Sequence, residues 1–311
     1  MNQVSAWIRK RPVVSFYIIT FAVSWGLGFS TVAVLKNEQF LLMPLAVLAF
    51  CAPALAGIIV TAVEGGQARP AFGRNRRRWI VFIVAMFAGT AIWLAHNHFL
   101  NTASITPVVA VFGFFFLTPP VAFIISAAYS RGTAVRRLMA SLLRLRGVGG
   151  WVVLALVFIP ALFVISVAAS DLIERRPVLA ASDAVLGAPL LGMIVLKFLY
   201  QMFFFNATGE ESGWSGFARP RLQAHVSPLL TALIVALFWV PWHFFYWYAE
   251  GRDVFTAAFW FEFYTAHFLA SVIITWLYNR SRGSVLVAGV AHAAGNTVQT
   301  FIPNYDAQVA L

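Results

Sequence analysis

Long apolar runs, separated by short polar or basic segments, dominate the chain. They cover about residues 13–35, 40–63, 79–99, 105–128, 150–169, 185–206, 229–248, 254–278 and 284–303. An α-helix rises 1.5 Å per residue, so about 20 apolar residues cross a hydrocarbon core about 30 Å thick. The pattern predicts nine spans, with the connection over 96–104 the least sharply bounded. Pro44, Pro53, Pro160 and Pro241 fall inside runs and predict kinks, where neighbouring helices take up the carbonyls that proline leaves free. The expected fold class is all-α, a polytopic transmembrane bundle of eight or nine helices.

The polar residues between the runs suggest an orientation. With the N-terminus in the cytoplasm, segments 1–12, 64–78, 129–149, 207–228 and 279–284 face inward and carry 17 Lys and Arg. The outward segments carry 4, namely Lys36, Arg175, Arg176 and Arg252. Such asymmetry is the positive-inside signature of a multi-pass protein of the cell membrane, and nine crossings place Asp306 outside. Arg9, Lys10 and Arg11 ahead of the first run look like the start of a signal peptide. That run is too long for an h-region and lacks a small-residue cleavage site, so retention as an anchor is expected. The 131–146 segment, with Arg131, Arg136, Arg137, Arg144 and Arg146, reads as an amphipathic basic helix lying on lipid headgroups.

Composition narrows the function. Of the 311 residues, 61% are apolar and 11% charged, against about 45–50% and about 25% in a soluble domain. One soluble core cannot hide that much apolar surface, which excludes soluble enzymes, disordered tails and fibrous repeats. A net charge of +11 would suit nucleic acid if the basic residues shared one face of a soluble module. Instead, clusters such as Arg74, Arg76, Arg77 and Arg78 sit between runs, where they meet anionic headgroups. The expected partner is the lipid bilayer, not nucleic acid. Cys51 is the single cysteine, so an intrachain disulfide and a CxxC metal site are excluded, and it reads as a small buried hydrophobe.

Ionisable groups at membrane depth are costly, which makes each a candidate for function. They are Lys197, Glu210, Glu211, His243, Glu262, His267 and His292, joined by the amide Asn296. All lie in the C-terminal half, which divides the chain into N-terminal spans with basic loops (1–149) and a functional core (150–311). In GEESGWSGFARPRL, residues 209–222, two adjacent carboxylates cannot both ionise cheaply in a poorly hydrated site, and one is then suited to act as general base on water. A solvated helix start, where acids are favoured, explains the same pair. FWVPWHFFYW sets His243 mid-span, with Trp239 one turn earlier and placed to pack beneath the imidazole; a helix-packing hydrogen bond explains the same histidine. VAGVAHAAGNT puts His292 and Asn296 four apart on one helix face, with Ala293, Ala294 and Gly295 permitting close approach. A base, an orienting imidazole and oxyanion donors on three helices together favour hydrolysis.

Two rival readings use other residues. Gly213–Gly216 and AHAAG resemble rhomboid serine proteases, with Ser215 and His292 as the dyad, but this leaves the glutamates and His243 unexplained. A transporter or non-catalytic scaffold would recruit Lys197, Glu262 and His267 to an ion path. Glu262 and His267 are five apart and poorly placed to share a face, which favours buried hydrogen-bonding roles over an ion path and leaves a substrate-cavity contact open, while Lys197 lies 13 residues from Glu210, about 20 Å along a continuous helix.

The order EExxx(W/R)GF…PRL, (F/W)xxxH, HxxxN resembles the CAAX-protease and bacteriocin-processing (CPBP, ABI) family, in particular the type II CAAX prenyl endopeptidase. The matching stretches are Glu210–Leu222, Trp239–His243 and Tyr278–Asn296, within about 190–303. The resemblance implies an intramembrane endopeptidase open to the cytoplasm. Glu210 with His243 would activate water, His292 and Asn296 would stabilise the oxyanion, and Glu211 would hold local structure. The implied substrate is a peptide, with a prenylated C-terminus as precedent and peptide-toxin maturation or immunity equally compatible. Ser215 stands where the family has the arginine of EExxxR, leaving Arg219 or Arg221 to compensate as partner of Glu211. Family members are commonly labelled metalloproteases. HExxH is absent, so zinc on Glu210, His243 and His292 stays open, and glutamate-activated water without an obligatory metal is favoured.

Overall fold

The computed structural model describes residues 3–35, 39–66, 75–101, 105–175 and 188–301. Lys36, Arg74, Arg176 and Asp306, on which part of the orientation reading rests, lie outside the described residues. In chain order the helices are α1 (Gln3–Lys10), α2 (Pro12–Leu35), α3 (Gln39–Phe50), α4 (Ala52–Glu64), α5 (Arg76–Phe99), α6 (Pro107–Phe112), α7 (Pro119–Ser126), α8 (Thr133–Ala140), α9 (Gly149–Ile173), α10 (Ala188–Tyr200), α11 (Arg219–Gln223), α12 (Pro228–Trp242), α13 (Phe244–Ala249), α14 (Ala257–Arg280) and α15 (Val285–Phe301). π-Helical turns occupy Gly113–Leu117, Gln201–Glu211 and Trp214–Ala218. The described residues contain no strand.

Seven helical segments among the described residues are long and apolar enough to cross a membrane, and the pair α3–α4, bent by 53°, makes an eighth. The ninth apolar run of the sequence becomes α15, which is different in kind. Its 17 residues rise only about 25 Å. It is buried over most of its length and packs on α9 and on the π-helix Gln201–Glu211. A short helix at the centre of a bundle needs no lipid-facing side, which explains how this one carries His, Asn and Gln among its apolar residues.

Two of the four prolines coincide with breaks. The α3–α4 bend falls at Cys51, which is fully buried, with Pro53 in the first turn of α4. Pro241 precedes the junction of α12 and α13 at His243. A proline at 241 leaves the Leu237 carbonyl without its helical donor, and the Tyr264 hydroxyl donates to it at 3.3 Å. The carbonyl of Pro241 itself accepts the Trp25 indole N–H at 3.2 Å. α3 and α9 run without interruption through Pro44 and Pro160.

The basic 131–146 segment departs from expectation. It forms only the short α8, and Val135, Met139 and Leu142 pack into a core cluster with Ile58 of α4 and Ile124 of α7 rather than onto lipid. Its five arginines remain exposed. The described parts of the five segments grouped by charge converge at one end of the bundle. Arg9 donates to the Val63 carbonyl (2.8 Å), Asn75 to that of Tyr129 (2.5 Å) and Arg144 to that of Arg282 (3.1 Å), while Arg221 pairs with Glu64 at 2.6 Å. One aromatic core unites the two halves of the chain, with Phe16 and Tyr17 of α2 packed on Trp214 and Phe217 at centroid distances of 4.8–6.1 Å.

Candidate functional site

The glutamates stand at the end of the π-helix Gln201–Glu211. Hydrogen bonds to the fifth residue put more residues in each turn than the 3.6 of an α-helix. Successive side chains are then less than 100° apart, which brings Glu210 and Glu211 toward one face. The chain on either side is small where it must be. A Cβ on Gly213 would lie 2.4 Å from the Pro53 carbonyl carbon, and one on Gly289 would lie 2.5 Å from the Ala207 Cβ. These contacts press the acid-bearing segment against the α3–α4 bend on one side and α15 on the other.

Glu211 is fully buried and fully engaged. Its Oε2 accepts the Arg219 Nη1 at 3.0 Å and the Ser215 hydroxyl, and its Oε1 meets His292 Nδ1 at 3.2 Å. Arg219, also fully buried, gives its remaining donors to Ser215, to Thr275 at 3.0 Å and to Ser271 at 3.3 Å. Ser215 thus occupies the place where the resemblance puts an arginine, and Arg219, one turn later, supplies the charge. Ser215 is bonded to Glu211 and Arg219 rather than to His292, so the serine–histidine dyad of the rhomboid reading does not form.

Glu210 is buried among neutral donors. Oε1 accepts the Asn206 amide at 3.2 Å and Oε2 the Trp239 indole N–H at 2.9 Å. The same Asn206 amide nitrogen lies 3.1 Å from His292 Nε2. Both its hydrogens are then used, which makes His292 Nε2 an acceptor and leaves the ring proton on Nδ1, facing Glu211. His243 Nε2 stands 3.9 Å from Glu210 Oε2. That is too long for a direct hydrogen bond but suits two groups sharing a third polar atom. His243 Nδ1 is 3.0 Å from the Trp239 carbonyl, and the ring stacks on Trp247 at 5.0 Å. Trp239 orients His243 through its carbonyl and a tilted ring contact at 6.0 Å, while its indole donates to Glu210 and packs edge-on against His267 and His292 at 4.8 and 4.9 Å.

A cavity of about 340 Å³ opens in front of these groups, between α9 and α14, with Trp239, His243, His267, His292 and Asn296 on its wall. The two carboxylates are not on that wall; they lie behind Trp239, His243 and His292. The structure thus gathers Glu210, Glu211, His243 and His292 into one network and sets Asn296 on the adjoining cavity surface. Lys197, Glu262 and His267 have three separate surroundings: Lys197 is half-buried on α10, Glu262 lines a surface bowl with Glu250 and Asp253, and His267 faces the cavity. Sequence reasoning missed Asn206, although it lies one turn before Glu210, because only ionisable groups and Asn296 were weighed at membrane depth. Zinc does not fit the donors present. Among the described residues no three His, Cys, Asp or Glu side chains are grouped to hold an ion, and both His292 nitrogens already have partners.

A family model described as type II CAAX prenyl endopeptidase Rce1-like matches residues 192–298. A protein of Methanococcus maripaludis named CAAX prenyl protease 2 is 29% identical over 106 residues. The aligned part is 32% of this chain and 39% of that relative, so the chain spans about two fifths of the relative's length. Every polar side chain in the network above falls inside the matched range, and over that C-terminal third the chain is similar to the type II CAAX prenyl endopeptidases.

Proposed function

We propose that the protein is an intramembrane endopeptidase in which Glu210 and His243 activate the attacking water. The observation that carries this reading is the 3.9 Å separation of Glu210 Oε2 and His243 Nε2 beside the cavity. With the His243 ring proton committed to the Trp239 carbonyl, Nε2 is an acceptor, and so is the carboxylate. A water held by two acceptors turns an oxygen lone pair toward a peptide carbonyl entering from the cavity. Attack forms the new C–O bond, Glu210 takes the water proton, and delivery of that proton to the nitrogen accompanies C–N cleavage. Asn296 donates its amide N–H to the oxyanion. His292, the second candidate for that task, does so only with a proton on Nε2, in exchange for its bond from Asn206. Glu211 with Arg219 holds the segment in place.

In this reading residues 150–311 carry the chemistry and residues 1–149 supply the wall behind it. The arginine-rich end faces the cytoplasm, as does the N-terminus, and the substrate is a peptide presented at the membrane. The relative's name makes a prenylated C-terminal peptide the first to test. Purified protein in vesicles is to be assayed on paired prenylated and unprenylated peptides beside Glu210→Gln and His243→Ala. Loss of cleavage by about 10³-fold in the first variant is expected; undiminished cleavage by both variants overturns the proposal.

A further inference from the structure

Three imidazoles stand against Trp239 on the cavity wall, those of His267, His292 and His243 at 4.8, 4.9 and 6.0 Å, and the reaction above gives one of them no role. That one, His267 of α14, belongs to none of the three sequence motifs. It is 4% exposed and lines the cavity. Its Nδ1 lies 2.9 Å from the carbonyl of Phe263, one turn earlier, which repeats the arrangement of His243 and the Trp239 carbonyl at 3.0 Å. A carbonyl oxygen only accepts, so in both rings the proton sits on Nδ1 and Nε2 is left as an acceptor. The indoles of Trp239 and Trp247 meet the His267 ring edge-to-face at 4.8 and 5.7 Å, and its centroid is 5.4 Å from that of His243. A ring pinned at one nitrogen and clamped by two indoles keeps its second nitrogen in a fixed place.

A peptide drawn into an apolar cavity brings backbone N–H groups that are costly to leave without acceptors. If Glu210 and His243 are occupied by water, they have no acceptor to spare. The geometry points to His267 Nε2 as the acceptor for one backbone N–H beside the scissile bond, making His267 a substrate-positioning residue. This rests on the proposed hydrolysis, and it adds a contact that fixes the register of the peptide against Glu210 and His243.

The test compares wild type, His267→Phe and His267→Gln on a cleaved peptide and on a series in which each flanking amide in turn is replaced by an ester. Phenylalanine keeps the aromatic packing and removes the acceptor; glutamine keeps an acceptor. Wild type is expected to prefer amide over ester about tenfold at one position. His267→Phe loses about tenfold in kcat/KM and that preference together, at an unchanged melting temperature, and His267→Gln regains part of both. Unchanged kcat/KM in His267→Phe, or equal losses across the whole ester series, overturns the inference. Should His267→Phe fail to fold, the ester series on His267→Gln decides, since a preference at the same position must survive there. Full cleavage by Glu210→Gln would instead sink the hydrolytic reading, whatever the ester series shows.

Discussion

Glu210 and Glu211 are adjacent and chemically identical, yet the regions around them have opposite characters. Around Glu211 every polar atom is committed: a guanidinium, a hydroxyl and an imidazole saturate the carboxylate, and Ser271 and Thr275 complete the guanidinium. A buried ion pair is tolerable only with such completeness, because desolvation costs several kcal/mol per ion and the attraction must repay it. Around Glu210 there is no cation among its hydrogen-bond donors, only an amide and an indole, and an imidazole waits at 3.9 Å. The first region resists change and suits architecture. The second keeps an acceptor available beside a cavity and suits chemistry.

The largest test of this contrast is Glu210→Gln, which should lose about 10³-fold in cleavage at an unchanged melting temperature; a comparable loss of stability would erase the distinction. Arg219→Met strands a buried carboxylate and should cost about 3–5 kcal/mol in detergent unfolding, most of it regained when Glu211→Met is added, because an apolar pair replaces an ionic one. Asn206→Leu removes both donors that tie Glu210 to His292, and should lower kcat about 10- to 100-fold, the equivalent of about 1–3 kcal/mol. Ser215→Ala should be the mildest, about 1 kcal/mol of stability with cleavage within about threefold of wild type. Abolished cleavage in that last variant would restore the serine-dyad reading.

Hydropathy made the spans and their grouping by charge legible, because lipid imposes length and composition on every crossing. It could not separate α15 from a lipid-facing span, since burial in protein and burial in lipid both favour apolar residues. Glu210, His243 and His292 were legible because ionisable groups at membrane depth are rare. Asn206 was not; His267 was a candidate on the same ground, but its setting was not legible. Asn206 is uncharged and was passed over, whereas His267 was compared with Glu262 on its own helix. Its true neighbours are Trp239 of α12 and His243 at the α12–α13 junction, and no spacing within one helix reports a contact with another. The partner of Glu211 was narrowed to Arg219 or Arg221, and the ion pairs separate them: Arg219 binds Glu211 and Arg221 binds Glu64.

The junction at Pro241–His243 is secured from far upstream. Trp242 donates to the Ser24 hydroxyl at 2.6 Å, Ser24 passes a bond to the Ala49 carbonyl at 2.8 Å, and Trp25 caps Pro241. The stretch shared with known endopeptidases is for this reason no portable cassette. Excised or grafted alone, it would lose the scaffolding that aims its imidazole, and with that its aim at any carbonyl.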